Sequence, residues 1–164
     1  MEMFEDLGAT FSPCRKWRYV LWRIWNSELA PVAFICLNPS TADETIDDPT
    51  VRRCVNYARR WGYGGLYVMN LFAFRATKPR VMEAAADPCG PDNDRYLREY
   101  AGKAHLRVAA WGTQGAFMGR DLCVLKLLSD MPVHSLGLTK NGFPRHPLYL
   151  KSDVKPEMVV RIAR

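Results

Sequence analysis

Apolar residues fall along this chain in short blocks of two kinds. In "KWRYVLWRIW", Trp17, Tyr19, Leu21, Arg23 and Trp25 alternate with Arg18, Val20, Trp22 and Ile24. That period of two predicts a strand with aromatics on both faces, suited to open a hairpin. Of four later blocks, "PVAFICLN" is a short continuous apolar run, the mark of a strand covered on both sides, and "GLYVMNLF", "LRVAAWG" and "VHSLGL" read as three further buried strands. Helical spacing fills the gaps. "DPTVRRCVNYARRWG" places Val51, Cys54, Val55 and Ala58 on one stripe, with Asp48 as N-cap, Pro49 in the first turn and Gly62 near the stop. "PRVMEAAAD" and "PDNDRYLREYAGKA" read as two helical pieces divided by "DPCGP", and "TQGAFMGRDLCVLKLLSD" as a single helix.

Buried strands alternating with amphipathic helices predict a layered α/β domain spanning residues 1–164, with a central, mostly parallel four-stranded sheet and right-handed crossovers. An antiparallel strand or hairpin precedes it. In such sheets ligands bind beyond the carboxyl ends of the strands. Those ends read Asn38-Pro39-Ser40-Thr41, then Asn70 with "LFAFRAT", then Trp111-Gly112-Thr113-Gln114, and finally Thr139 to His146. Amides, hydroxyls, a tryptophan and a histidine thus collect on one edge, the pattern expected of a pocket wall.

Composition narrows the class. With 164 residues, 48% apolar and 24% charged, the chain is that of a folded globule. No apolar run approaches the roughly 18 residues of a membrane span, and the acidic start "MEMFEDLGAT" has no signal-peptide core, so a cytoplasmic protein is expected. The five cysteines form no C-x-x-C pair, and neither a metal nor another cofactor is expected from them. The net charge of +6, concentrated in "CRKWR", "VRRCVNYARRWGY" and the C-terminal third, suits nucleic acid, although solvated basic helix faces give the same count. Gly-x-Ser-x-Gly, P-loop and H-E-x-x-H motifs are absent.

Each candidate residue also has a structural reading. Asn38, before a proline, suits an Asx turn, and Asn70 a bond to loop backbone; Asp48 suits a helix cap, and Asp43 and Asp47 a solvated loop. His146 fits a surface position, His105 and His134 structural ones.

Taken in order, "CLNPS", "YVMNLFAFRAT", "VAAWGTQGAF" and "RHPLYL" resemble the motif series of the uracil-DNA glycosylase superfamily. The chain is also similar throughout to a family of bacterial and phage proteins of unknown function marked by "LNPSTAD", "DDPTVRR", "NLFAFRAT", "WG" and "HPLYL". The glycosylase resemblance implies a three-layer α/β/α fold and a DNA-processing hydrolase. It assigns Asn38 to the hydrolytic water, Asn70 to the base edge and His146 to the base oxygen. Leu148 or Tyr149 becomes the wedge that enters the duplex. Pro39, Ser40, Thr41, Asp48, Phe72, Trp111 and Gly112 join the substrate wall, and Arg52, Arg53, Arg75, Lys140 and Arg145 are candidates for phosphate contacts.

Two departures shape the expectation. Leu148 stands where the superfamily has serine, and the first loop lacks the Asp-Pro-Tyr-His of its uracil-specific branch, which points to a modified base. The acidic "DETIDDPT" has no counterpart in that series. Two other functions follow from the same residues: a non-catalytic module binding nucleic acid or a modified base, and a nucleotide enzyme in which Asp43, Asp47 and Asp48 hold Mg²⁺.

Overall fold

A computed structural model of the chain describes residues 3–159. Strands β1 (Asp6–Phe11) and β2 (Arg18–Ile24) pair as an antiparallel hairpin, so the aromatic stretch closes a hairpin and does not open one. The four later blocks become β3 (Pro31–Cys36), β4 (Gly65–Asn70), β5 (Leu106–Ala109) and β6 (His134–Ser135). These four are parallel, β2 joins β4 antiparallel, and a short β7 (Met158–Val159) joins β6 antiparallel. Among the described residues the sheet runs β1-β2-β4-β3-β5-β6-β7, a mixed α/β sheet with a parallel centre. No described helix is long and apolar enough to cross a membrane.

The pleat of β3 explains the packing. Val32, Phe34 and Cys36 share a core with Val51, Cys54, Val55 and Ala58 of α1 (Pro49–Arg60). Ala33, Ile35 and Leu37 share the other core with Met82 of α2 (Pro79–Glu83), Leu97 and Ala101 of α3 (Asn93–Lys103) and Val124 of α4 (Arg120–Leu127). Alternate residues point to opposite faces, so a run apolar at every position needs cover on both.

α1 begins as its sequence predicts. The Asp48 carboxylate accepts the Val51 N–H at 2.9 Å, Pro49 takes the first turn, and Gly62 adopts a φ of +84° just beyond the end. Asp48→Ala is expected to lower stability by about 0.5–2 kcal/mol, with Asp48→Ser recovering most of it. Urea denaturation checks this, and equal midpoints for the wild type and Asp48→Ala would remove the cap from the account.

The stretch expected to form one helix from Thr113 does not. It divides into a 3-10 segment, Thr113–Gly119, and α4, because Phe117 (ψ 128°) and Met118 (φ 57°) leave helical geometry. Close packing marks the turn before the break: a Cβ on Gly115 would lie 2.2 Å from Cδ1 of Trp111, so the segment passes the indole where only glycine fits.

Candidate functional site

In the parallel part of the sheet β3 is flanked by β4 on one side and β5 on the other. Chains leaving β3 and its neighbours therefore diverge, opening a crevice at their carboxyl ends. A cavity of about 450 Å³ occupies that place. The end of β3 contributes Asn38, Pro39, Ser40 and Thr41, and the end of β4 contributes Asn70. Trp111 and Gly112 follow β5, Asp48 precedes α1, and His146, Leu148 and Tyr149 close the far side. Eleven of the residues singled out in the sequence thus share one cavity although they come from five separate segments.

Asn38 makes no Asx turn. Its amide nitrogen donates to the carbonyls of Pro39 at 3.1 Å, Phe74 at 3.5 Å and Ala76 at 2.9 Å. The backbone N–H of Ala76 returns to the Pro39 carbonyl at 2.9 Å, so the β3 exit and the 74–76 segment are knitted together. With its hydrogens engaged, the amide plane is fixed and Oδ1 remains as an acceptor. Asn70 is held from behind: Asn93 Nδ2 donates to the carbonyls of Asn70 and Leu71, and Arg120 Nε also donates to Leu71.

His146 is half-buried, and its Nδ1 accepts the Leu148 N–H at 3.2 Å. This bond selects the tautomer with hydrogen on Nε2. Burial pushes its pKa below the ordinary 6.5, against a smaller upward pull from Asp48. At neutral pH the ring is therefore an uncharged donor. Protonation favours the unfolded chain, so this group has no effect on stability above pH 6.5 and weakens it as pH falls below that value. Thermal melts between pH 5 and 8 should show a steeper acid loss for the wild type than for His146→Gln; parallel curves would exclude this contribution.

The acidic loop is a structural device. Arg23 of β2, 0% exposed, pairs through Nε with Asp47 at 2.8 Å. Its Nη atoms donate to the carbonyls of Asp43, Glu44, Ile46, Gly8 and Trp22. Asp43 accepts the Thr45 and Ile46 N–H groups, and Glu44 pairs with Arg15 at 2.6 Å. Asp43, Asp47 and Asp48 thus face three different partners, and the described residues contain no cluster of acids, histidines and cysteines able to hold a metal. The Mg²⁺ site imagined from sequence is not assembled, because a buried cation already organises the loop.

Several sequence candidates lie elsewhere. Phe72 is fully buried in the core against Phe117 and lines no part of the cavity. Arg53 donates to the carbonyls of Pro147 and Leu150, bracing the Pro147–Tyr149 turn against α1. Arg52 bonds the Asp47 carbonyl, Arg75 lies over the Phe11 ring, and Arg145 bonds the Leu138 carbonyl; Lys140 is exposed on a turn.

Among the cavity residues that the sequence reading missed, Arg18 is the charged one. Arg18 lines the wall beside Cys36, Val68 and Asn70, yet strict alternation had placed it on the face of Val20 and Trp22. In the β1–β2 ladder Thr10 pairs with Val20 and Phe11 with Arg18, so Tyr19 is an extra residue. The bulge turns Arg18 to the opposite face. A charged residue inside a buried strand was the available signal.

A search of curated proteins and of solved structures finds no match. A family model described as a protein of unknown function matches residues 18–148, from the bulged Arg18 through every segment of the cavity wall to the Leu148 rim. On that match the chain belongs to the DUF1643 family, whose function is unknown.

Proposed function

We propose that this protein processes a base in DNA, hydrolysing the N-glycosidic bond of a modified base in the cytoplasm on a three-layer scaffold like that of the uracil-DNA glycosylases. The observation that carries the reading is the presence of Asn38, Asn70 and His146 around one cavity at the sheet's carboxyl edge. Its volume of about 450 Å³ lies in the range of small-molecule sites. In this reading Oδ1 of Asn38 orients the water, and Nε2–H of the neutral His146 donates to the base oxygen as negative charge develops there. One such donor is worth about 3 kcal/mol in comparable sites. Extruding the nucleotide costs a few kcal/mol. Exposed Leu148 and Tyr149 at the cavity rim suit the role of a wedge, and Lys140 and Arg145 are exposed for flanking phosphates.

The test is mass-spectrometric detection of free base after incubation with DNA carrying uracil, mismatched thymine or modified pyrimidines, in single- and double-stranded form. Release by wild type but not by His146→Ala supports the reading; no release from any substrate rejects it. A second reading, a base-binding module without turnover, is favoured by the cavity's carboxylate: Asp48 is engaged as a helix cap and is the one acid among the described lining residues. Salt-dependent DNA binding without base release would select it.

A further inference from the structure

Two buried arginines on β2 have opposite surroundings. Arg23 meets a carboxylate and five carbonyls. Arg18, only 2% exposed, has a single described acceptor, the Ala42 carbonyl at 3.0 Å from Nη1. Its Nε has no partner, and no described carboxylate lies within ion-pair distance of it. A guanidinium offers five N–H groups and stays charged, and an underbonded buried cation is costly unless something outside the chain completes it. Burial lowers Arg18 to about pKa 10, which leaves it protonated at neutral pH.

A second donor converges on the same space. Asn70, 1% exposed, also lines the cavity, and its Nδ2 has no acceptor. Cys36, Val51 and Val68 beside these two are almost inaccessible, whereas Leu148 and Tyr149 are open to solvent, so Arg18 and Asn70 belong to the floor and not the rim. Asp48 is the opposing charge: it faces both Arg18 and His146, favouring their protonated forms and acting against an incoming anion. Its carboxylate already accepts the Val51 N–H, which offsets part of that repulsion.

We propose that the cavity floor is an oxyanion site, in which Arg18 and Asn70 Nδ2 together bind a negatively charged, acceptor-bearing group of a nucleotide-sized ligand. The inference rests on reading the cavity as the base site, but not on any hydrolysis there. Two sources share this chemistry: an anionic substituent on the base, such as a carboxylate, and the phosphate of a free nucleotide.

Calorimetric titration of the full chain with uridine, 5-carboxyuridine, uridine 5′-monophosphate and inorganic phosphate tests it. At least one charged nucleoside should bind tenfold or more tightly than uridine, with inorganic phosphate competing. Preference for 5-carboxyuridine assigns the anion to the base, and preference for the monophosphate assigns it to the phosphate. Arg18→Gln should erase the preference and Arg18→Lys should keep part of it, which guards against a variant that merely fails to fold. Equal affinity for charged and uncharged probes, no binding of any probe, or a preference that survives Arg18→Gln would overturn the proposal. Because base release is not the readout, a protein that binds anions but cleaves nothing would reject the hydrolytic reading alone.

Discussion

Arg23→Ala is expected to destabilise the protein by about 3–5 kcal/mol, the range seen when one partner of a buried ion pair is removed. The variant loses more than a charge. Asp47, largely buried, would keep its carboxylate without a cation, and the carbonyls of Asp43, Glu44 and Ile46 would lose their common donor. Loop closure over residues 43–48 depends on those bonds, so the loop should open while the sheet still forms. Arg23→Lys should recover little, because one ammonium cannot span acceptors arranged around a planar fork. Urea unfolding measures the loss, and limited thermolysin digestion followed by mass spectrometry should show new cleavage beside the exposed Ile46. A change below about 1 kcal/mol would mean that water replaces the guanidinium without difficulty.

Asn38 carries the second large effect. If the glycosidic reading holds, Asn38→Ala should lower base release by about 10²–10⁴-fold, the span for a group that positions or activates a reacting water. Asn38→Asp separates positioning from basicity. A carboxylate has no hydrogen to offer the carbonyls of Pro39, Phe74 and Ala76, so it would repel the three groups that now hold the amide. The aspartate variant is therefore expected to be less stable than the alanine variant, and no more active. An aspartate variant with higher turnover than wild type would show that the cavity wants a base at this position, and the amide bonds would then be secondary. Thermal melts run beside the activity measurement distinguish the outcomes.

The acidic loop shows why local reading of charge misleads. Asp43, Asp47 and Asp48 are close in sequence, and closeness alone suggested a shared cation. In the fold each carboxylate turns to a different partner: Asp43 to two N–H groups of its own turn, Asp47 to Arg23, Asp48 to the first turn of α1. Arg23 lies 24 residues from Asp47 in sequence. The sequence contains both residues but nothing that pairs them, since the pairing depends on the β1–β2 hairpin packing against the β3 exit. Phe72 is the converse case. The resemblance placed it in the substrate wall with Asn70, but β4 ends at Asn70, so strand alternation no longer governs the chain there and Phe72 packs into the core against Phe117.

The amino-acid order by itself determined the alternation of buried strands and helices, the cap at Asp48, and the gathering of Asn38, Asn70, Trp111 and His146 at one edge of the sheet. These features follow from periodicities of 2 and 3.6 residues and from the rule that parallel strands deliver their ends to the same side. Tertiary structure alone decided which cations are structural and which are free. Arg18 and Arg23 occupy the same aromatic strand, and nothing in the local pattern ranks them. One extra residue, Tyr19, shifts the pleat by a step and sends Arg18 into the cavity with a single protein acceptor, while Arg23 is enclosed by the acidic loop. A bulge is a property of two paired strands, and hydrogen-bond saturation is a property of everything that surrounds a side chain, so neither exists until the chain has folded.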